Sequence, residues 1–169
     1  MRLRSGIFVQ LLTGLGLMFA AGTAGAQTPT PIDKPILTVS GKISSPAGAV
    51  KFKREALEEL GTVTIETSTP WYKGPVKFEG VPLEKLMQAV GANGERVVVV
   101  ALNDYSSEIP MEDFAKYHAI LALKRDGEYM PVRDKGPLFV VYPYDSDPEL
   151  RSQKFYSRSV WQVSQLIIK

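Results

Sequence analysis

The stretch TIETSTPWYKG, residues 64–74, gathers hydroxyl, proline and aromatic side chains at the end of one run of alternating apolar residues. Thr67, Ser68 and Thr69 offer oxygen donors and acceptors. Pro70 fixes its own φ and biases Thr69 toward an extended backbone, so the turn presents Trp71 in a defined direction. Such a place suits a ligand, and a sulfur would suit it too, but the 169 residues contain no cysteine. Thiolate metal sites, cysteine nucleophiles and disulfides are therefore excluded. A second polar group, Asn103, Asp104 and Tyr105, follows the apolar run RVVVVAL. It reads either as an Asn-Asp turn or as the rim of a pocket beyond a buried strand. In YSRSVW, strand alternation would put Tyr156 and Arg158 on one face and Trp161 on the other. The reading favoured here turns Tyr156 and Arg158 toward a pocket and Trp161 into the core. His118 is the single histidine and reads as a helix-end residue. Asp145, Asp147 and Glu149 lack the glycine and further ligands of a calcium loop, and read as a solvated acidic turn.

These residues need elements to hold them. Strands are expected over residues 36–43, 62–67, 96–102, 105–110, 137–143 and 159–168, where β-branched and aromatic residues dominate. The uninterrupted apolar run over 96–102 suggests a strand covered on both faces. Helices are expected over 54–60, ended by Gly61, over 81–91, with Pro82 in the first turn and Gly91 at the end, and over 111–118. Asp126-Gly127 marks the turn of a hairpin within 119–132. The charged and aromatic stretch 144–158 reads as a long loop of the kind that carries function or meets a partner. No internal repeat is present. The class is α+β, strand-dominated, with short helices on mixed sheets in a single domain over 36–169.

The start of the chain bears on location. Arg2 and Arg4 precede an apolar run over 7–21, and Ala24 and Ala26 form a small-residue exit. This is the order of a secretory signal peptide over residues 1–26, which predicts cleavage after Ala26 and a periplasmic protein. Residues 27–35, rich in proline, read as a flexible lead-in. The chain carries 20 Lys and Arg against 18 Asp and Glu. Arg2 and Arg4 lie within the leader, so the remainder is balanced, and nothing in it argues for nucleic acid or an anionic membrane surface.

The order of VTIET with its following Trp, FEGVPLEKLMQAVGA, LNDYSSEIPMED, LALKRDGEYMPVRDKGPLFVVYP and SVWQV resembles the oxidoreductase molybdopterin-binding domain of the sulfite oxidase superfamily. The resemblance implies that family's mixed-sheet fold. In catalytic members a cysteine shortly before the tryptophan ligates molybdenum, and its place here is Thr67. A threonine hydroxyl does not replace a soft thiolate, although the neighbouring Ser68 oxygen is a conceivable ligand. The resemblance also places Arg133, in PVRDKGP, on a cofactor-facing loop, where a surface pair with Asp134 is the plainer reading. It is nearest to a cysteine-less branch of small exported pterin-binding proteins that signal to membrane enzymes of cyclic diguanylate metabolism. The resemblance therefore implies a pterin ligand without molybdenum, held by Thr67, Ser68, Trp71, Asn103, Asp104, Tyr105, Arg133, Tyr156 and Arg158. A molybdenum oxidoreductase with an oxygen ligand, and an accessory subunit of a redox complex, are the competing expectations.

Overall fold

The computed structural model describes residues 34–169. The signal peptide and cleavage site expected at 1–26, and most of the lead-in, lie outside the described residues. Two sheets form the frame. The first has strand order β2-β1-β10-β5-β6, built from β1 (Leu37–Gly41), β2 (Ala49–Phe52), β5 (Arg96–Ala101), β6 (Ser106–Pro110) and β10 (Val163–Ile168). Only the β1–β10 pair within it is parallel. The second joins β3 (Val63–Ser68), β4 (Pro75–Pro82), β7 (Ile120–Arg125) and β8 (Glu128–Tyr129), with β9 (Phe139–Val141) also pairing with β7. The strand-dominated α+β class holds.

Local sequence accounts for most of these elements. In β5, Val97, Val99 and Ala101 are buried while Val98 and Val100 are half-buried, so one face meets the core and the other is partly open. Full coverage of both faces, suggested by the apolar run, is not what the fold provides. Two residues, Asp126 and Gly127, turn β7 into β8 with φ of 50° and 86°, the two-residue hairpin geometry that favours this pair. Helix α1 (Arg54–Glu59) stops at Gly61, whose φ is 91°. Helix α2 (Leu83–Ala89) begins directly after Pro82 and buries Leu83, Leu86 and Met87 at helical spacing. Helix α3 (Glu112–Tyr117) ends at His118, an exposed residue in the left-handed region. Gly80 sits where β4 shifts register against β7, and a Cβ there would run into the backbone of Leu121 and Ala122.

The alternation in YSRSVW does not produce a strand there. Helix α4 (Gln153–Arg158) takes residues 153–158, with Ser152 in extended conformation before it and its carbonyl accepting from the N–H groups of Phe155 and Tyr156. Phe155 is the buried residue of this helix, and Ser159, one turn later, returns its hydroxyl to the Phe155 carbonyl at 2.8 Å. β10 proper starts only at Val163. The strand β2 is an element that the sequence reading omits.

The two sheets are sewn together where β9 meets the approach to β10. Val140 donates to the Val160 carbonyl and Val163 to the Leu138 carbonyl, both at 2.9 Å, and Phe139 bridges to Trp161. A single hydrophobic cluster unites Leu37, Val39, Val97, Val99 and Leu166 of the first sheet with Phe78, Leu121, Phe139 and Val141 of the second. A bulge between Val163 and Gln165 shifts β10 against β5 beside this seam. The cavity described next opens at the same place.

Candidate functional site

Three segments converge on the seam. The first is the β3–β4 connection. Thr69 accepts the Trp71 N–H at its hydroxyl, 3.4 Å, which tightens the turn set by Pro70. Trp71 is half-buried and stands at the centre of an aromatic group. Its ring meets those of Phe139, Trp161, Tyr156 and Tyr144 edge-on, at centroid distances of 5.4, 5.7, 5.9 and 6.2 Å. The second is the β5–β6 turn. Asp104 takes a φ of 65°, and the Asn103 side-chain oxygen accepts the Tyr105 N–H at 3.2 Å. With that oxygen engaged in the turn, the Asn103 –NH2 group is what the residue offers outward. The Tyr105 hydroxyl reaches the Ser157 carbonyl at 3.3 Å and so ties the turn to α4. The third is α4 and the chain after it, which contribute Gln153, Tyr156, Ser157, Ser159, Val160 and Trp161.

Together with Pro70, Trp71, Ala101, Asn103 and Tyr105, these residues enclose a cavity of about 410 Å³. That volume is in the range of small-molecule sites. Its walls are aromatic and apolar, with amide and hydroxyl groups placed among them and no charged side chain in the lining. A flat heterocycle with a polar edge is the kind of molecule such walls accept.

Of the residues singled out from the sequence, Trp71, Asn103, Tyr105 and Tyr156 are brought together here. Thr67, Ser68, Asp104, Arg133 and Arg158 do not line the cavity. Thr67 is fully buried, and its hydroxyl accepts the Asp145 N–H at 3.1 Å. Ser68 donates its backbone N–H to the Asp145 carboxylate at 2.6 Å. Arg151 in turn holds Asp145 at 2.9 Å and the Tyr144 carbonyl at 3.1 Å. The acidic turn is therefore tied to the end of β3. The Ser68 N–H, followed by Arg151, keeps the Asp145 carboxyl below the usual range. Asp104 is exposed at the outside of its turn. Arg133 is exposed on the 3-10 turn Val132–Asp134. The expected partner Asp134 binds Arg125 at 2.5 Å and accepts the Tyr72 hydroxyl at 3.0 Å instead. Burial acts to raise the Asp134 carboxyl, but Arg125 and Tyr72 outweigh it and hold it below its ordinary value. Tyr72 is thus half-buried and anchored.

Arg158 turns away from the cavity because α4 replaces the expected strand. Its guanidinium pairs with the buried Asp113 at 2.6 Å, and the Tyr142 hydroxyl donates to the same carboxylate at 3.0 Å. Burial and the neighbouring Asp113 push the Tyr142 phenol far up, so it stays a neutral donor. Tyr144 is also raised by burial, and its hydroxyl meets that of Ser159. Trp161, expected in the core, is 38 % exposed and forms part of the cavity wall. The sequence reading missed Gln153, Ser157 and Ser159, which become neighbours only once α4 is a helix. It also missed Lys135, in the same PVRDKGP loop as Arg133, whose Nζ lies 4.2 Å from the Trp161 ring centroid. Burial lowers its ammonium pKa.

The position that the resemblance assigns to a metal ligand offers no thiolate and no open oxygen, since Thr67 spends its hydroxyl on Asp145 inside the protein. Among the described residues, no cluster of three or more His, Asp or Glu side chains could hold a metal ion. The donor set does not fit a molybdenum centre held by the protein at this place. The aromatic and amide groups beside it do fit the organic, pterin part of such a cofactor.

No curated protein matches the chain. A family model does: that of the oxidoreductase molybdopterin binding domain, over residues 49–145. The match covers the β3–β4 connection, the β5–β6 turn and the PVRDKGP loop, while α4 and Trp161 lie beyond it. By this match over more than half of its length, the chain belongs to the oxidoreductase molybdopterin binding domain family.

Proposed function

We propose that this protein is a periplasmic, non-catalytic pterin-binding protein that reports its ligand to a membrane signalling enzyme of cyclic diguanylate metabolism. The observation that carries the reading is the contrast between two neighbouring places. The family's metal-ligand position is Thr67, buried and hydrogen-bonded shut, whereas the aromatic cavity beside it stays open. A protein of this family that keeps a ring-sized cavity without a soft metal ligand is suited to hold the pterin as a signal rather than as a redox cofactor. Export and the signalling partner come from the leader-like start of the sequence and from its resemblance to the cysteine-less branch.

Within the cavity, Trp71, Tyr156 and Trp161 supply faces and edges for the ring. By analogy with bases on aromatic platforms, each stacked contact is worth about 1–3 kcal/mol. The Asn103 and Gln153 amides and the Ser157 hydroxyl supply polar contacts for the ring edge. The test is purification of the protein from its native host. Pterin fluorescence at stoichiometric level, without molybdenum by elemental analysis, is the expected result. Stoichiometric molybdenum with turnover of an oxo-transfer substrate would instead establish the oxidoreductase reading.

A further inference from the structure

β3 stands at the edge of the second sheet, paired with β4 in a register that runs without a shift from Val63 opposite Gly80 to Ser68 opposite Pro75. Two observations fix which of its backbone groups point outward. Lys77, opposite Glu66, donates its N–H to the Asp126 carboxylate at 3.1 Å and accepts the Asp126 N–H at its carbonyl at 2.8 Å, so its backbone groups face away from β3. The N–H of Ser68 goes to Asp145 Oδ2 rather than to β4. Bonding alternates along an antiparallel pair, so Val63, Ile65 and Thr67 bond β4, while Thr64 and Glu66 turn their N–H and C=O groups outward. Both residues are exposed, and among the described residues no hydrogen bond takes up these groups. The six residues of β3 include no lysine, no proline and no bulge, the usual means of blunting an edge, whereas β8 at the other end of the sheet order has only two residues.

The side chains add an independent observation. Val63, Ile65 and Thr67 lie opposite Gly80, Phe78 and Val76 and so share the core face of the sheet. Thr67 is covered there, but Val63 is 42 % exposed and Ile65 is half-buried. These two border a groove of about 430 Å³ with Pro82, Phe114 and His118 among its other walls. The core face of this edge is unfinished, and a further strand with apolar side chains at alternate positions would complete it.

We propose that this strand is β3 of a second copy: two chains pair their β3 edges antiparallel about a two-fold axis, with Ile65 opposite the partner's Ile65. The strand's own residues select the partner and the register. Thr64 and Glu66 exchange N–H···O=C bonds with the partner's Glu66 and the partner's Thr64, which uses every open backbone group of both. On the core side Ile65 packs on its copy beside Val63. On the outer side Glu66 lies against a threonine and not a second carboxylate, with Lys77 at 3.9 Å to offset its charge. A two-residue shift one way sets Glu66 opposite the partner's Glu66 and calls on Ser68, which Asp145 already holds. The opposite shift leaves Glu66 facing a position before the start of β3. The inference is independent of the pterin reading.

The experiment has two parts. Sedimentation velocity of the purified protein from about 1 μM to about 1 mM reads the monomer–dimer balance, and a short edge belongs with the small, weak interfaces whose dissociation falls in that range. Val63→Lys places a charge in the groove, and Thr64→Pro removes an outward N–H without touching the β4 ladder. Each should weaken dimerisation about tenfold or more, with thermal melts showing that the variant is folded. The register is read by cross-linking, since the chain has no cysteine of its own. A non-hydrogen-bonded pair brings opposite Cα atoms to about 4.5 Å, within disulfide reach. Ile65→Cys treated with oxidised glutathione should therefore form a linked dimer, whereas Val63→Cys, whose copies lie well apart along the strands, should not. A chain that stays monomeric throughout the range, a dimer that neither Val63→Lys nor Thr64→Pro weakens, or Val63→Cys linking as fully as Ile65→Cys overturns the proposal.

Discussion

Replacement of Trp71 by alanine tests whether one side chain serves both the fold and the site. Trp71 is half-buried, so truncation removes only part of the contact that a fully enclosed tryptophan would lose. Complete burial corresponds to about 3–5 kcal/mol on truncation to alanine. Half-burial brings that to roughly 2 kcal/mol, and edge-on contacts with four rings restore part of the difference, at about 0.5–1.5 kcal/mol for a pair and less than additively. The expected loss is about 2–4 kcal/mol, a fall in Tm of roughly 6–16 °C for a domain of this size. Trp71→Ala should also weaken pterin binding by about 1–3 kcal/mol, ten- to a hundredfold. Trp71→Phe should recover part of both quantities, because a ring remains among Phe139, Tyr156 and Trp161. Denaturant melts and calorimetric titration on the same preparations read the two effects separately. A Trp71→Ala protein with unchanged stability would refute the packing argument. Unchanged pterin affinity in a folded Trp71→Ala protein would refute the stacking role.

Arg158→Met strands the buried Asp113 carboxylate with Tyr142 as its remaining partner, and should cost about 3 kcal/mol in denaturant unfolding. The double variant Asp113→Asn, Arg158→Met should cost less than that single change, and a larger loss in the double variant would show that the pair is not what stabilises α4. Asp145→Asn probes the tie between the acidic turn and β3. A carboxyl held below its ordinary value contributes stability above the unfolded value of about 3.9 and loses it as pH falls through the folded value. The Tm difference between wild type and Asp145→Asn should therefore be largest near neutral pH and vanish in strong acid; a difference independent of pH contradicts the assignment. Gly80→Ala forces a methyl group onto the Leu121 carbonyl and the Ala122 backbone and should cost about 1–3 kcal/mol or more, read as a lowered Tm.

Periodicity and turn chemistry made much of the frame legible. The spacing of Leu83, Leu86 and Met87, the Asp126-Gly127 turn and the valine run of β5 are local signals, and the fold follows them. β2 was not legible because Ala49, Val50, Lys51 and Phe52 are too few to show a period, and the strand is defined by its pairing with β1. The segment before β10 misled for a related reason. Six residues of α4 fit either a short helix or a strand, and the choice was made by tertiary contacts of Phe155 with Tyr117 and Tyr142 and of Ser159 with Tyr144 rather than by propensity. That single difference moved Arg158 out of the site and Trp161 into its wall. In the same way, nothing local in TIETST distinguishes a hydroxyl open to a ligand from one consumed by Asp145, a residue 78 positions away in the chain.

The consumed hydroxyl leads to a prediction about position 67, where the sequence resemblance would place a metal-ligating cysteine. In Thr67→Cys the sulfur is a weaker acceptor than the oxygen it replaces, so the Asp145 N–H is left poorly satisfied in a closed environment. A stranded buried donor costs about 1–3 kcal/mol. The thiol also lies on the inner side of β3, where Thr67 has no exposed surface, and the Ser68–Asp145–Arg151 bonds still hold the acidic turn against the strand. Restoring the residue type therefore does not restore an accessible ligand. Thr67→Cys should be less stable than the wild type, react slowly with thiol reagents while folded, and acquire no molybdenum when expressed in a host that makes the cofactor. Thr67→Val, which keeps the shape and removes the acceptor, should show a similar loss of stability without any thiol chemistry. Denaturant unfolding, thiol labelling and elemental analysis provide the three readouts. Rapid labelling of the folded Thr67→Cys protein, or stoichiometric molybdenum in it, would mean that position 67 faces an open site after all and that the contact with Asp145 does not close it.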